Sequence, residues 1–323
     1  MPKGLSDQAL FEFFLYDFIP GSHTIFEGVN KLPPGHMAVF DRSGLRMSRY
    51  WSLPQPERAA DYEEKKNELE ELLSDAVRLR LISDVPLGSF LSGGIDSALV
   101  TSFMRPTDSG EVKTFSISFP GTTYDESSWS RMAAAFLETD HREYPVQYDI
   151  ENVFSRMVRH FGEPFGDSSA VPTWYLCRHT RQQVTVALSG DGGDELFGGY
   201  ERYLARRFQL AYDLMPSAFR DRLIEPLIER LPETTDYYGT SFVKKLKLFI
   251  RASRRMRDDP LAVVPRTFSR DQVIRLLGSD YRTDADPVLA TALQWAGIDP
   301  VSQMMLTDVQ TYLAEDIDRK SVV

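Results

Sequence analysis

Val85-Pro86-Leu87-Gly88-Ser89-Phe90-Leu91 runs into Ser92-Gly93-Gly94-Ile95-Asp96-Ser97 and then Ala98-Leu99-Val100-Thr101-Ser102-Phe103. An apolar run, a short Gly-rich loop and a second apolar run read as strand, tight turn and helix. Two adjacent glycines let the backbone take positive φ and come close to a ligand. The first amides of the following helix then face that ligand, and the helix dipole favours an anion. Asp96 repels an anion unless a cation lies between them. The loop therefore reads as a place for a nucleotide polyphosphate accompanied by a divalent metal. The plainer alternative is a linking turn in which Ser or Asp only caps the helix. A Walker-type Gly-x-x-x-x-Gly-Lys-Ser/Thr run does not occur in the chain.

A second stretch repeats the arrangement. Val184-Thr185-Val186-Ala187-Leu188 is a β-branched, apolar strand signal. Ser189-Gly190-Asp191-Gly192-Gly193-Asp194-Glu195-Leu196-Phe197-Gly198-Gly199-Tyr200 follows it. Asp191, Asp194 and Glu195 crowd carboxylates into this loop. On an ordinary surface they would simply be solvated. At the end of a buried strand, close carboxylates need a shared cation or a shared proton.

In its strand–helix context, Ser92–Ser97 resembles the pyrophosphate loop of the ATP pyrophosphatases, which cleave ATP between the α and β phosphates. The two loops together resemble the synthetase domain of the asparagine synthetase family. The wider group includes β-lactam synthetases and related amidotransferases. Thr114–Phe119, the helical run Arg131–Leu137 and the segment Glu163–Thr173 carry the likeness further, and it covers most of the chain. A last match is Leu313-x-x-Asp316-Ile317-x-x-Lys320, beyond which this chain departs from the family pattern and reads Ser321-Val322-Val323.

The resemblance implies an ATP-dependent, adenylate-forming carbon–nitrogen ligase. The β-carboxylate of aspartate would attack the α-phosphate, and ammonia would then attack the β-aspartyl-AMP, releasing AMP. It also implies roles. Ser92, Gly93, Gly94 and Ser97 would hold pyrophosphate; Leu91, Ile117, Ser189 and Gly190 would contact the nucleotide. Asp96 and Asp194 would hold Mg²⁺. Lys320 would stabilise charge at the α-phosphate. Asp191 stands where some asparagine synthetases carry Glu, and would handle protons or position ammonia. Two other readings stay open: another amide-forming ligase of the same fold, or an inactive nucleotide-binding fragment or scaffold.

Composition sets bounds. The chain has 323 residues, 42% hydrophobic and 26% charged, which is ordinary globular material. A net charge of −10 argues against nonspecific nucleic-acid binding, which rests on Lys and Arg. Cys177 is the only cysteine, so no intramolecular disulfide forms. It lies in a helical pattern and reads as packing rather than as a nucleophile. The histidines, His23, His36, His141, His160 and His179, have no metal-ligand spacing, and His141 reads as local structure. There is no membrane-length apolar run and no signal-peptide core. The chain is thus expected to be cytoplasmic, with small molecules (ATP, aspartate, ammonia) and no membrane or nucleic acid as partners.

Residues 1–56 differ from the rest. Ala9–Leu15 reads as a short helix, and His36–Phe40 with Leu45–Trp51 as a hairpin around Asp41-Arg42-Ser43-Gly44. With Leu32-Pro33-Pro34-Gly35-His36, this part resembles the end of a glutaminase domain. The nucleophilic cysteine of such domains has no counterpart here, so glutamine hydrolysis is not expected, and ammonia would arrive from solution or from a glutaminase domain or subunit. Residues 57–323 are expected to be the synthetase domain, truncated at its C-terminus. Leu69, Leu72, Leu73, Ala76, Val77 and Leu81 recur at helical spacing, as an apolar stripe expected to pack in the core. Strands near 85–91, 114–119, 142–146 and 184–188 alternate with helices. The fold class is therefore α/β: a doubly wound parallel sheet of the ATP pyrophosphatase type, with a helical C-terminal part. Arg202, Arg206, Arg207 and the basic run 251–257 read as solvated helix faces.

Overall fold

The short runs around the two Gly-rich loops become one sheet. The structure is a computed structural model that describes residues 4–56, 61–104, 111–122, 125–146, 149–232, 242–258, 267–278 and 286–318. The chain divides into two units, Gly28–Gly193 with Ala314–Val323, and Met1–Glu27 with Asp194–Leu313.

The first unit holds all the named strands. β1 (His36–Asp41) and β2 (Gly44–Arg49) pair as the expected antiparallel hairpin, from His36 opposite Arg49 to Asp41 opposite Gly44. The Asp41 carboxylate accepts from the Ser43 amide at 2.7 Å and locks the turn. β3 (Leu87–Phe90), β4 (Lys113–Ser118), β5 (Asp140–Pro145) and β6 (Val186–Leu188) form a parallel sheet in the order β5-β4-β3-β6. The chain starts at β3, steps outward through β4 and β5, then returns to the other side of β3 as β6. The direction of winding thus reverses between β3 and β6, and the carboxyl ends of two such strands are where open α/β sheets bind ligands.

The interior of this sheet is polar, contrary to the usual run of Val and Ile. Ser89, Thr114, Ser116 and Ser118 are buried, and described partners satisfy the first three. Ser89 Oγ lies 2.9 Å from Thr101 Oγ1 and donates to the Leu188 carbonyl at 3.3 Å, tying β3 to its helix and to β6. The His141 ring spans two neighbours, with Nδ1 2.9 Å from Thr114 Oγ1 and Nε2 3.1 Å from Ser116 Oγ. Where β4 and β5 end, Val146, Val153, Met157, Phe161, Ala170 and Tyr175 form a core cluster.

Burial holds the His141 pKa below its ordinary value of 6.5, against the opposing charges of Glu143 and Asp140. A depressed histidine pKa means that the unfolded chain takes up the proton first. Stability from this group is therefore present above pH 6.5 and is lost as the pH falls below it. Urea midpoints measured at pH 7.5 and 5.5 should fall on acidification, and His141→Gln should flatten that fall. A variant that keeps the full wild-type slope refutes the assignment.

The helix Tyr62–Arg80 begins with the Asp61 side chain accepting from the Glu64 amide at 3.0 Å. Its apolar stripe is mostly not core. Val77 is buried, while Leu69 and Leu72 are exposed. The stripe packs in part on the helix Ile95–Phe103, and a narrow contact covers only the residues at its centre.

The second unit is helical. It includes Asp7–Tyr16, Glu201–Asp213, Phe242–Asp258, Arg270–Leu277, Pro287–Gln294 and Pro300–Asp308, with π-helical turns at Arg220–Ile224 and from Val309 on. Asp286 anchors one side: it accepts from Tyr16 Oη at 2.7 Å, from Arg270 at 3.1 Å and from the Leu289 amide at 3.1 Å. The basic helix faces are not simply solvated. Arg254 and Arg257 pair with buried Glu225, and Arg202 with buried Asp308. Among the described residues no helix is long and apolar enough to cross a membrane.

Candidate nucleotide site

The loop after β3 is organised around one hydroxyl. Ser97 Oγ accepts from the Ser92 amide at 3.3 Å, lies 3.0 Å from Ser92 Oγ and donates to the Gly94 carbonyl at 3.2 Å. Ser92 Oγ in turn accepts from the Gly94 amide at 3.2 Å. Gly93 has φ +85°, and a Cβ there would lie 2.6 Å from the Ser130 amide nitrogen. Only glycine meets both conditions. Gly94 occupies the cap position of the helix Ile95–Phe103 and has no side chain to cover its first amides. Ser92 and Gly94 are exposed, Asp96 is half-buried and Ser97 is buried.

The loop after β6 packs against this one. A Cβ on Gly190 would lie 2.7 Å from the Ser97 amide nitrogen, and one on Gly193 would lie 2.6 Å from Asp96 Oδ2. Neither contact leaves room for a methyl group. The two Gly-rich loops therefore interlock, with Asp96 and Ser97 seated on glycine backbone. The Gly193 amide donates to the Gly190 carbonyl at 3.1 Å, closing the turn. Ser189 Oγ donates to Asp191 Oδ2 at 2.9 Å and holds that carboxylate at the exposed edge.

The remaining sequence-predicted residues divide. Leu91 is fully buried and its amide donates to the Phe115 carbonyl, so its side chain is core. Ile117 is half-buried against the cluster at the end of β4. Asp194 begins the short helix Gly193–Phe197 and is half-buried. Lys320 lies outside the described residues. The pattern leading to it, Leu313 to Ile317, lies in the π-helix Val309–Ile317, where Asp316 is buried. Among the described residues no three His, Cys, Asp or Glu side chains gather as a metal cage. Mg²⁺ in nucleotide sites is typically held by one or two carboxylates plus phosphate oxygens, so Asp96 with Asp194 is a donor set of the right kind.

Sequence reasoning missed what lies just past Asp194. Glu195 is buried and its Oε1 accepts from Tyr200 Oη at 2.5 Å. The Arg202 guanidinium lies 4.4 Å from the Tyr200 ring centre. The signal was present as Tyr200-x-Arg202-Tyr203, an arginine among aromatics rather than among acids.

Cys177 lies in the helix Ala170–Thr180. Burial, and then the negative charge of Asp191, push its thiol up to about 11. It is a thiol at neutral pH and a poor nucleophile. Alkylation by iodoacetamide at pH 7.5 should be far slower than for free cysteine, and rates that match the free amino acid contradict the packing role.

A profile of the asparagine synthase family matches residues 68–322. The chain belongs to that family. Its relatives include a protein of Methanocaldococcus jannaschii provisionally named a glutamine-hydrolyzing asparagine synthetase, 38% identical over 62% of this chain and 40% of that protein. Asparagine synthetase 1 of Bacillus subtilis, also named as glutamine-hydrolyzing, is 29% identical over 68% of this chain and 35% of its own length. A third relative is an amidase, chry2, of Gibberella zeae, 33% identical over 57% of this chain and 31% of the relative. The chain thus spans less than half the length of these asparagine synthase relatives.

Proposed function

We propose that this chain is an ATP-dependent amide-forming ligase that makes asparagine from aspartate through a β-aspartyl-AMP intermediate. The observation that carries the reading is the interlock of the two Gly-rich loops at the β3–β6 switch point. It sets exposed amides, two hydroxyls and a half-buried carboxylate at the carboxyl end of a parallel sheet.

The chemical problem is a carboxylate attacking a phosphate, anion on anion. Ser92, Gly93, Gly94 and Ser97 would bind the departing pyrophosphate through amides and hydroxyls, with the start of the helix Ile95–Phe103 behind them. Ser189 and Gly190 line the nucleotide side, with Leu91 and Ile117 forming its apolar floor. Asp96 and Asp194 would hold Mg²⁺, which supplies neutralisation of phosphate charge. A carboxylate oxygen of aspartate then forms a bond to the α-phosphorus as the bond to pyrophosphate breaks. Ammonia attacks the activated carbonyl carbon, and AMP leaves. Asp191, at the exposed edge, is placed in the proposal to accept the proton lost by the attacking nitrogen. Lys320 would stabilise charge on the α-phosphate.

The ATP pyrophosphatase type of the sheet, the boundary near residue 56 and a cytoplasmic location belong to the same proposal, as does supply of ammonia by a glutaminase domain or subunit. The relation to chry2 favours a second reading, in which the acceptor is another carboxylate or amide substrate.

The test is product identity. The full chain with Mg²⁺, ATP, aspartate and ammonium should form AMP and pyrophosphate in equal amounts. Labelled pyrophosphate should exchange into ATP only when aspartate is present. Formation of ADP and phosphate overturns the mechanism, and exchange driven by some other carboxylate selects the second reading.

A further inference from the structure

Arg202 sits where three tyrosines and a buried carboxylate converge. Its guanidinium carbon lies 4.4 Å from the ring centre of Tyr200, 5.5 Å from that of Tyr203 and 5.3 Å from that of Tyr312. Its Nη2 donates to Asp308 Oδ2 at 2.9 Å, and Tyr203 Oη donates to the same oxygen at 2.6 Å. Asp308 is buried. Arg202 Nε is buried with no hydrogen-bond partner among the described residues, so rings and one carboxylate hold the group. Tyr200 reaches the other way, to Glu195 in the first turn after the carboxylate loop.

Asp308 is the last residue of the helix Pro300–Asp308, and Val309 begins the π-helix that runs to Ile317. A π-helix carries an extra residue per turn, is rare and persists where surrounding contacts hold it. Several contacts hold the start of this one. Trp295 Nε1 donates to Gln310 Oε1 at 3.0 Å, and Thr311 Oγ1 donates to the Thr307 carbonyl at 2.8 Å. Asp308 and Tyr312 meet Arg202. Relaxing the segment to an α-helix would turn everything beyond it by about 100° per residue and advance it by about 1.5 Å. What lies beyond is Asp316, Ile317 and the chain leading to Lys320.

We propose that Arg202 is a positioning residue: it clasps the exit of the carboxylate loop to the start of the π-helix and so sets the register of the segment that leads to Lys320. The catalytic part of this inference rests on the ligase reading above. Lysine is no substitute at such a position, because an ammonium is a point charge and does not stack its plane on three rings.

The experiment has two readouts on the full chain. Hydrogen exchange followed by mass spectrometry should show residues 304–318 exchanging at least about tenfold faster in Arg202→Ala, with residues 113–118 unchanged. Steady-state kinetics should show kcat for aspartate-dependent AMP formation falling about 100-fold, as expected for a misplacement near 1 Å. KM for ATP should stay within about threefold, since the pyrophosphate loop is untouched. Arg202→Lys should recover only part of kcat, and Tyr312→Leu, a milder change should Arg202→Ala not fold, should show the same pattern. Unchanged exchange in residues 304–318 overturns the clasp. Faster exchange there with unaltered kcat overturns its link to catalysis. A wild-type chain without aspartate-dependent turnover overturns the ligase reading instead, and the exchange comparison still decides the clasp.

Discussion

Asp96→Ala is expected to weaken Mg-ATP binding by about 100-fold or more, equivalent to about 2.7 kcal/mol, while far-UV circular dichroism and the thermal midpoint stay near wild type. Asp96 is half-buried at the start of the helix Ile95–Phe103 and is seated on Gly193. A negative charge among amides that favour anions makes sense when a cation lies between it and the phosphates. The prediction has a sign that separates it from simple damage. With EDTA present, ATP carries no metal, and removing Asp96 removes a repulsion. The variant should then bind metal-free ATP as well as the wild type or better. Calorimetric titrations with and without Mg²⁺ supply both numbers, and equal losses in the two conditions sink the metal-holding role.

Gly190→Ala is expected to be nearly as damaging, for a steric reason. The added Cβ would lie 2.7 Å from the Ser97 amide nitrogen and 3.1 Å from Asp96 Cβ. The first of these is backbone, so it cannot swing aside, and the β6 loop must move away from the β3 loop. Overpacking of this kind costs about 1–3 kcal/mol in stability. Separation of the loops should also reduce nucleotide affinity by more than about tenfold, because the hydroxyls and amides no longer converge. Gly193→Ala meets the Asp96 carboxylate, a side chain that can rotate. Its effect should be smaller in stability and should appear mainly in the Mg²⁺ dependence. Denaturant midpoints and ATP titrations of both variants give the order; a larger stability loss for Gly193→Ala than for Gly190→Ala contradicts the geometry.

What the chain revealed by itself was local. Leu87–Phe90 followed by Ser92–Ser97 and an apolar helix, and the repeat at Val186–Leu188 with Ser189–Asp194, are each legible because the signals lie within a few residues of one another. The alternation of strand and helix was enough to imply a parallel sheet, and the Asp41–Gly44 turn was enough to imply the hairpin. The tertiary structure decided everything that depends on distant segments meeting. The order β5-β4-β3-β6 brings the two loops side by side, and that meeting explains why Gly190 and Gly193 carry no side chain. Nothing near Leu69 or Leu72 announces their exposure, because helical spacing gives the direction of a stripe but not the width of its partner. Nothing beside His141 announces that it stays neutral between Thr114 and Ser116, since those partners come from the neighbouring strand. Arg202 looked like surface charge until Asp308, Tyr312 and the π-helix were folded against it. Propensity and pattern act over a few residues, whereas burial, close packing and the pairing of charges are set by which parts of the chain end up touching.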